Sequence, residues 1–452
     1  MTYRTAHRAP RPVIRFRTLL ALALAGIFAV TACSSSSSSS SSGGAKSSTL
    51  QLWLGGVLTT STPGSAYRAW VDNVIARVQS KYPGTKVDVT LLPANNDQLA
   101  AKVESAFASH SVPDVMMLYS GAYTTVYQQG LMHLNSLINA TSGFYKSFSG
   151  WNLSCENLDC KGGSGTILGV PTDLDGFFLF YNKKLFAKAG LTKPPATWSQ
   201  LLADCSTLKS KGILPMSYGD AEGYTTVNFL DENLASYISQ PQMNAILSGH
   251  QKLTDPPVVS ALDKVSQLRT AGCAQSNAST VNQLNATPQF AAGKSAMVEM
   301  YPGLIPAFEK GIGASNLGVT VIPGTGPLGT SVAGNSGDNW VIPAQSSNPK
   351  DAWNFIKVAT DAASAKLWLT DVGLPTTKIA ASGNITDPAM KFVATDLNKA
   401  GNLELLDSVL PNGVALYMYK DLNLFFAGRM SAQAVMSATQ AQLSSSQAQG
   451  QG

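Results

Sequence analysis

Charge is scarce in this chain. Only 13% of its 452 residues are Asp, Glu, Lys or Arg, about half the ordinary share. That excludes a chain held open by self-repulsion, and the 44% of hydrophobic residues suffice for a core. Positive charge is scarcer than the net +5 implies. Arg4, Arg8, Arg11, Arg15 and Arg17 all precede residue 33 with no acid among them, and the remainder balances 27 basic against 27 acidic residues. No basic surface is left to neutralise phosphates, so nucleic acid is excluded as a partner. Histidine is nearly missing. His7, His110, His133 and His250 are scattered, with no H-E-x-x-H, and the five cysteines show no C-x2-C spacing. Neither a catalytic nor a structural zinc site is expected, nor any other metal or cofactor. There is no G-x-S-x-G and no S-x-x-K followed by K-T-G, so the common serine-hydrolase signatures are missing too. No stretch reaches 18 consecutive apolar residues, the length that would read as a spanning helix.

What is present begins with a leader. The basic start runs into Leu19–Val30, twelve apolar residues, too short to span and right for the core of a signal peptide. Val30-Thr31-Ala32-Cys33 resembles the lipobox of bacterial lipoproteins, which implies export by the Sec route, cleavage after residue 32 and a diacylglycerol on Cys33. Ser34–Ser42 is nine serines in a row, followed by two glycines. Such a tract buries no apolar area and behaves as a flexible coil. Residues 33–48 therefore read as a tether of about 20 Å root-mean-square span. The expected location is the outer face of the cytoplasmic membrane, with the lipid as the only membrane contact.

Four cysteines remain in the exported part: Cys155, Cys160, Cys205 and Cys273. An even number outside the cytoplasm reads as disulfides, and four allow three connectivities. The favoured one joins Cys155 to Cys160 and Cys205 to Cys273.

From Thr49 onward strand and helix patterns alternate. Leu50–Leu54, Lys86–Leu91 and Asp114–Leu118 read as strands; Ala66–Lys81 and Asn96–Ser109 carry apolar residues at helical spacing. Strands separated by helices imply a mostly parallel, doubly wound α/β sheet. Ile167–Val170 and Phe177–Tyr181 look like strands joined through Pro171–Gly176. Helices dominate the middle, with Thr197 as an N-cap. Met297–Met300, Gly318–Ile322 and Trp340–Ile342 return to strand character, Pro349–Thr360 is helical, and residues 441–452 read as a disordered tail.

Two motifs look catalytic and are not. Gly324–Gly329 matches G-x-G-x-x-G, but Pro327 interrupts it and no helix follows, so the helix N-terminus that would hold a pyrophosphate is missing. Ala292-Gly-Lys-Ser295 ends like a P-loop but has Pro288 in place of the first glycine. Asp173 and Asp175, two residues apart, could share a strand face as a glycosidase carboxylate pair.

Other segments resemble the extracellular solute-binding proteins of ABC importers, the family that includes the maltose-binding protein. They are Pro113–Gly121 followed by Gln129–Leu134; Gly169–Lys183; Pro195–Leu202; Phe290–Met297; Ser347–Phe355; Gly373–Lys378; and Gly428–Gln433. The resemblance spans most of residues 50–440 and implies a two-lobed periplasmic-binding-protein fold of type II, hinged by crossing segments, with the ligand between the lobes. One lobe would hold residues 49–172 and 292–335, the other 173–291 and 336–440. The implied function is non-enzymatic. A monomer would bind a mono- or oligosaccharide and deliver it to permease subunits driven by a cytoplasmic ATPase. A free carboxylate suits hydroxyls but equally an amine, so a polyamine or other cationic solute is the alternative, and a secreted carbohydrate hydrolase a more distant one.

Sugars need aromatic faces for their C–H surfaces and planar polar groups for their hydroxyls. Placed by the resemblance, the candidates are Tyr119 and Ser120 after a first-lobe strand, Asp173 and Asp175 in a crossing, and Glu222 and Tyr224 in the second lobe. Tyr301 follows the Met297–Met300 strand, where the family usually carries glycine and tryptophan. Asn335, Asp338 and Trp340 lie in another crossing region, and Tyr417 in a C-terminal stretch able to roof the cleft. Trp53 is expected to be buried more than ligand-facing.

Overall fold

The computed structural model describes residues 48–93, 96–156, 160, 165–383, 385–397 and 403–448; Cys33 and the leader lie outside them. The described strands are β1 (Ser48–Leu54), β2 (Thr85–Leu91), β3 (Val115–Tyr119), β4 (Gly169–Pro171), β5 (Leu174–Gly176), β6 (Phe178–Asn182), β7 (Leu214–Ser217), β8 (Ser295–Met300), β9 (Leu317–Thr320), β10 (Gly334–Ser336) and β11 (Asp338–Val341). Nine of them build two separate sheets, ordered β2-β1-β3-β11-β4 and β7-β8-β6-β9, each with its own helices, and β5 pairs with β10 alone. This is the two-lobed α/β architecture.

In the first lobe β1, β2 and β3 are parallel, and β11 runs antiparallel between β3 and β4. Leu50, Leu52 and Leu54 are fully buried. The helix Ala66–Lys81 buries Trp70, Val71, Val74 and Val78 against that layer, and the Ser65 side chain caps its first turn by accepting the Arg68 N–H. In the second lobe β6 is antiparallel to β8 and β9, while β7 is parallel to β8. Thr197 caps the helix Trp198–Ser210 as expected. The Cys205–Cys273 disulfide ties that helix to the turn following Pro256–Thr270, across 68 residues. Cys155–Cys160 is formed as well. Replacing Cys205 by Ser should cost about 4 kcal/mol, from the unfolded-chain entropy a loop of that length returns. Urea unfolding read against the wild type checks it; a loss below about 1 kcal/mol would show the bridge to be dispensable.

The lobes are joined by a short antiparallel ribbon, β5 with β10, in which Asp175 lies opposite Asn335. A third connection leaves the first lobe's core at Leu374 and enters the second lobe's core at Ala389 and Met390. Thr377 fastens it to the first crossing, its hydroxyl donating to the Pro171 carbonyl (2.7 Å).

Two expectations are corrected. Residues 292–335 supply β8 and β9 to the second sheet, not the first lobe, while β11 and the helix Pro349–Ala359 belong to the first lobe, not the second. The reason is pairing: β8 borders both β6 and β7, and β11 fills the gap between β3 and β4. Local patterning carries no record of which distant strand a segment will border. The expected tail is also too long. The final helix runs Ala432–Ala448, buries Leu443, and accepts the Leu253 N–H on Gln440 (2.7 Å).

Candidate ligand-binding cleft

The site is built where β3 ends. Val115–Leu118 are buried and Tyr119 emerges 37% exposed. Gly121, two residues on, takes a left-handed φ of 69°, and a Cβ there would lie 2.3 Å from the Ser408 carbonyl oxygen. That close approach brings the second lobe's 407–408 turn beside the end of β3. Burial, ahead of Asp338 and Asp175, pushes the Tyr119 hydroxyl above its ordinary pKa. Tyr67, on the first helical turn, is raised in the same way, by burial first and then by Tyr301, Asp173, Asp338 and Asp175.

The second lobe contributes two more open rings. Tyr224, at the start of the helix Tyr224–Tyr237, is 36% exposed, and Tyr417 is 38% exposed. Together with Tyr119 these are the exposed aromatic side chains among the described residues. Tyr224 packs edge-on against Tyr419 (4.9 Å between centroids), whose hydroxyl donates to Asp407 Oδ2 (2.8 Å). Glu222 is half-buried and accepts the Gln283 N–H (3.3 Å).

The crossing carboxylates differ from one another. Asp175 is half-buried and accepts the Gly176 N–H; burial raises its pKa to about 6. Asp173 is buried and accepts the Asp338 N–H (3.1 Å), joining two crossings. Asp338 is itself fully buried, accepts the Val57 N–H (3.3 Å), and presses Oδ1 against Gly56. Burial drives both of these pKa values up, with the Asp175 charge adding to the rise of Asp173 and the Asp173 charge to that of Asp338. At the ribbon's other end Glu232 accepts the N–H groups of Ala333 and Phe177. One carboxylate therefore fastens the crossings at each end.

Among the remaining candidates, Ser120 is occupied structurally, its hydroxyl donating to the Ser336 carbonyl. Tyr301 is half-buried between the cores of the two lobes. Asn335 contributes its backbone to the ribbon, and its side chain lies outside the described residues. Trp340 is corrected as a ligand contact. It is fully buried and meets Phe355 edge-on at 5.3 Å, because β11 is an interior strand whose inward face is core. Trp53 is half-buried under the Lys102 ammonium, 4.9 Å above its ring.

Sequence reasoning missed a set of second-lobe acids. Glu299 sits in fully buried β8, holding Asn228 (2.9 Å) and Gln283 (3.2 Å). Asp231 and Glu232 are both fully buried in one helix. Asp220 accepts the N–H and hydroxyl of Thr226, and burial pushes it up to about 7. The charge of Asp407 adds to the upward shifts of Asp175 and Asp231. The signal was available: acids inside otherwise apolar runs are costly to bury and ask for a reason. Among the described residues no lysine, arginine or histidine forms an ion pair with any of these eight carboxylates. No three metal-ligating side chains converge among the described residues either.

Two α/β lobes joined by crossing strands are the architecture of a solute receptor of the periplasmic-binding type. The chain belongs to the bacterial extracellular solute-binding protein family, whose model matches residues 59–366. It is 24% identical over 289 residues to a binding protein of Brucella abortus, covering 64% of this chain and 67% of that one. It is 29% identical over 175 residues to the sn-glycerol-3-phosphate-binding periplasmic protein of Yersinia pestis, covering 38% of each. A solved chitin oligosaccharide binding protein shares the fold with a TM-score of 0.76 at 19% identity, over 89% of this chain and 99% of that one. Members of this family serve ABC transporters. No helix among the described residues is long and apolar enough to cross a membrane.

Proposed function

We propose that this chain is a lipid-anchored receptor that takes up a saccharide between its lobes and hands it, unchanged, to the permease of an ABC importer. The observation that carries the reading is the placement of the exposed tyrosines. Tyr119 stands on one lobe, Tyr224 and Tyr417 on the other, each on an element that also carries or adjoins a carboxylate. Rings for C–H faces and carboxylates for hydroxyls are the two halves of sugar recognition. The chitin oligosaccharide binding protein supports the same class. The glycerol phosphate ligand of the Yersinia relative does not carry over, because a phosphate among these acids would meet no basic partner. Closure about the β5–β10 ribbon would bury the ligand and create the form a permease reads. Cys33 would hold the receptor at the membrane through its tether; a Cys33→Ala chain should leave the membrane fraction and lose palmitate labelling.

The binding test is calorimetric. Tyr119→Ala and Tyr224→Ala should each weaken saccharide binding on the order of tenfold, since a stacked ring contributes about 1 kcal/mol beyond its buried area. Unchanged affinity in both variants would remove the cleft from the reading. Consumption of the saccharide during the titration would replace the receptor by a hydrolase.

A further inference from the structure

A small cavity in the first lobe lies against the crossings, and none of its lining residues is a tyrosine or carboxylate of the cleft. Trp70, Phe148, Thr172, Trp368, Thr376 and Lys378 line it. Thr172 belongs to the first crossing, Thr376 and Lys378 to the third connection. The Thr376 hydroxyl donates to the Thr172 carbonyl (3.1 Å) and accepts the Lys378 N–H (3.1 Å), so these three are fixed to one another. Trp70 meets Trp368 edge-on at 4.7 Å and spends its own N–H on the Ser364 carbonyl (2.9 Å).

The cavity's polar groups are donors left over. Trp368 is 1% exposed and Thr172 6%, yet Trp368 Nε1 and Thr172 Oγ1 have no hydrogen-bond partner among the described residues. Each is the only polar atom of its side chain. An indole N–H can only donate, and a buried donor left unpaired is costly. The third group is the Lys378 ammonium. It donates to the Ser147 hydroxyl (2.7 Å), stands 3.9 Å from the centre of the Phe148 ring, and forms no ion pair among the described residues. Burial lowers its pKa, and the charge of Asp361 opposes that. No carboxylate lines the cavity. An occupant must therefore accept from the indole and the hydroxyl, and a negative charge on it would answer the ammonium. Its size is limited as well. About 10 Å³ is open to the centre of a water-sized body, which is room for one small occupant and not for a polyatomic anion or a sugar. A metal cation would meet donors and an ammonium.

We propose that this cavity is a halide site, its chloride held by Trp368 Nε1–H and the Thr172 hydroxyl and balanced by the Lys378 ammonium. The ion ties the first crossing and the third connection to the first lobe's core. The assignment does not depend on which solute the cleft takes.

Two measurements on the purified full chain test it. Crystals grown with bromide in place of chloride should show an anomalous peak between Trp368 Nε1, Thr172 Oγ1 and Lys378. In solution, chloride or bromide at a hundredfold excess over its dissociation constant should raise the melting temperature by about 3 °C over gluconate at equal ionic strength. Trp368→Phe keeps a ring and removes the N–H; Thr172→Val keeps the shape and removes the hydroxyl. Both variants should lose most of the halide shift, and two are used so that a folding defect in one does not decide the matter. Density for a water at the site with no anomalous peak, or a halide shift that survives in both variants, overturns the proposal.

Discussion

Replacing Trp340 by Ala should destabilise the protein by about 3–5 kcal/mol while leaving its affinity for ligand nearly unchanged. The side chain is fully buried in β11, with Met117 and Val170 opposite it on the neighbouring strands. Its ring meets Phe355 of the helix that covers the sheet. Truncation would remove an aromatic volume from a layer closed on both sides, where partial collapse cannot refill it. Denaturant unfolding gives the first number and titration at a temperature well below the transition gives the second. A variant with near-native stability and lost binding would return Trp340 to the cleft and disprove its place in the core.

Trp340 also marks where reading the chain as text stops working. Its neighbours Asn335 and Asp338 flank a crossing, and an aromatic residue beside a crossing has two futures: cleft or core. The choice depends on which face of β11 its side chain takes, and that depends on β11 lying between β3 and β4. The partner residues are far away in the chain, so no local pattern encodes the outcome. The same blindness exchanged the lobe membership of β8, β9 and β11. Strands themselves were legible wherever alternation or an apolar run was strong, as in Thr85–Leu91 and Val115–Tyr119. Helices were legible wherever a cap stood before apolar spacing, as with Thr197 and Trp198–Ser210.

The site divides along similar lines. Tyr119, Tyr224 and Tyr417 were named from the family resemblance, and all three are exposed. Asp173 and Ser120 spend polar atoms on backbone groups of the crossings. The distinction between a ligand contact and a hinge fastening is one of side-chain direction. Glu299, Asp231 and Asp407 were overlooked because each is embedded in a segment whose other residues speak only of core. Leu443 is buried within a serine- and glutamine-rich stretch, late in a helix that also buries Ala432, Val435, Met436 and Thr439.

Heating should unfold this protein at a higher temperature near pH 5 than near pH 8. Burial raises Asp175 to about 6, Asp220 to about 7 and Glu404 to about 7. In the unfolded chain the same groups titrate near pH 4. Between the two values the folded state holds protons that the unfolded state has released, so stability falls as pH rises. Each group loses about 1.4 kcal/mol per pH unit across its window and contributes no further change above its folded pKa. For Asp220, which is fully buried, that is on the order of 4 kcal/mol between pH 4 and pH 7. The Asp220→Asn variant keeps an acceptor for the Thr226 N–H and removes the titration. Its melting temperature should depend less steeply on pH than the wild type's, with the two curves converging in acid. Melting curves of both proteins from pH 5 to pH 8 check this. A transition that stays level or rises across that range in the free protein would mean that the interior acids are ionised throughout. The interior carboxylates would then need a positive partner inside the fold, and the pH argument would fail.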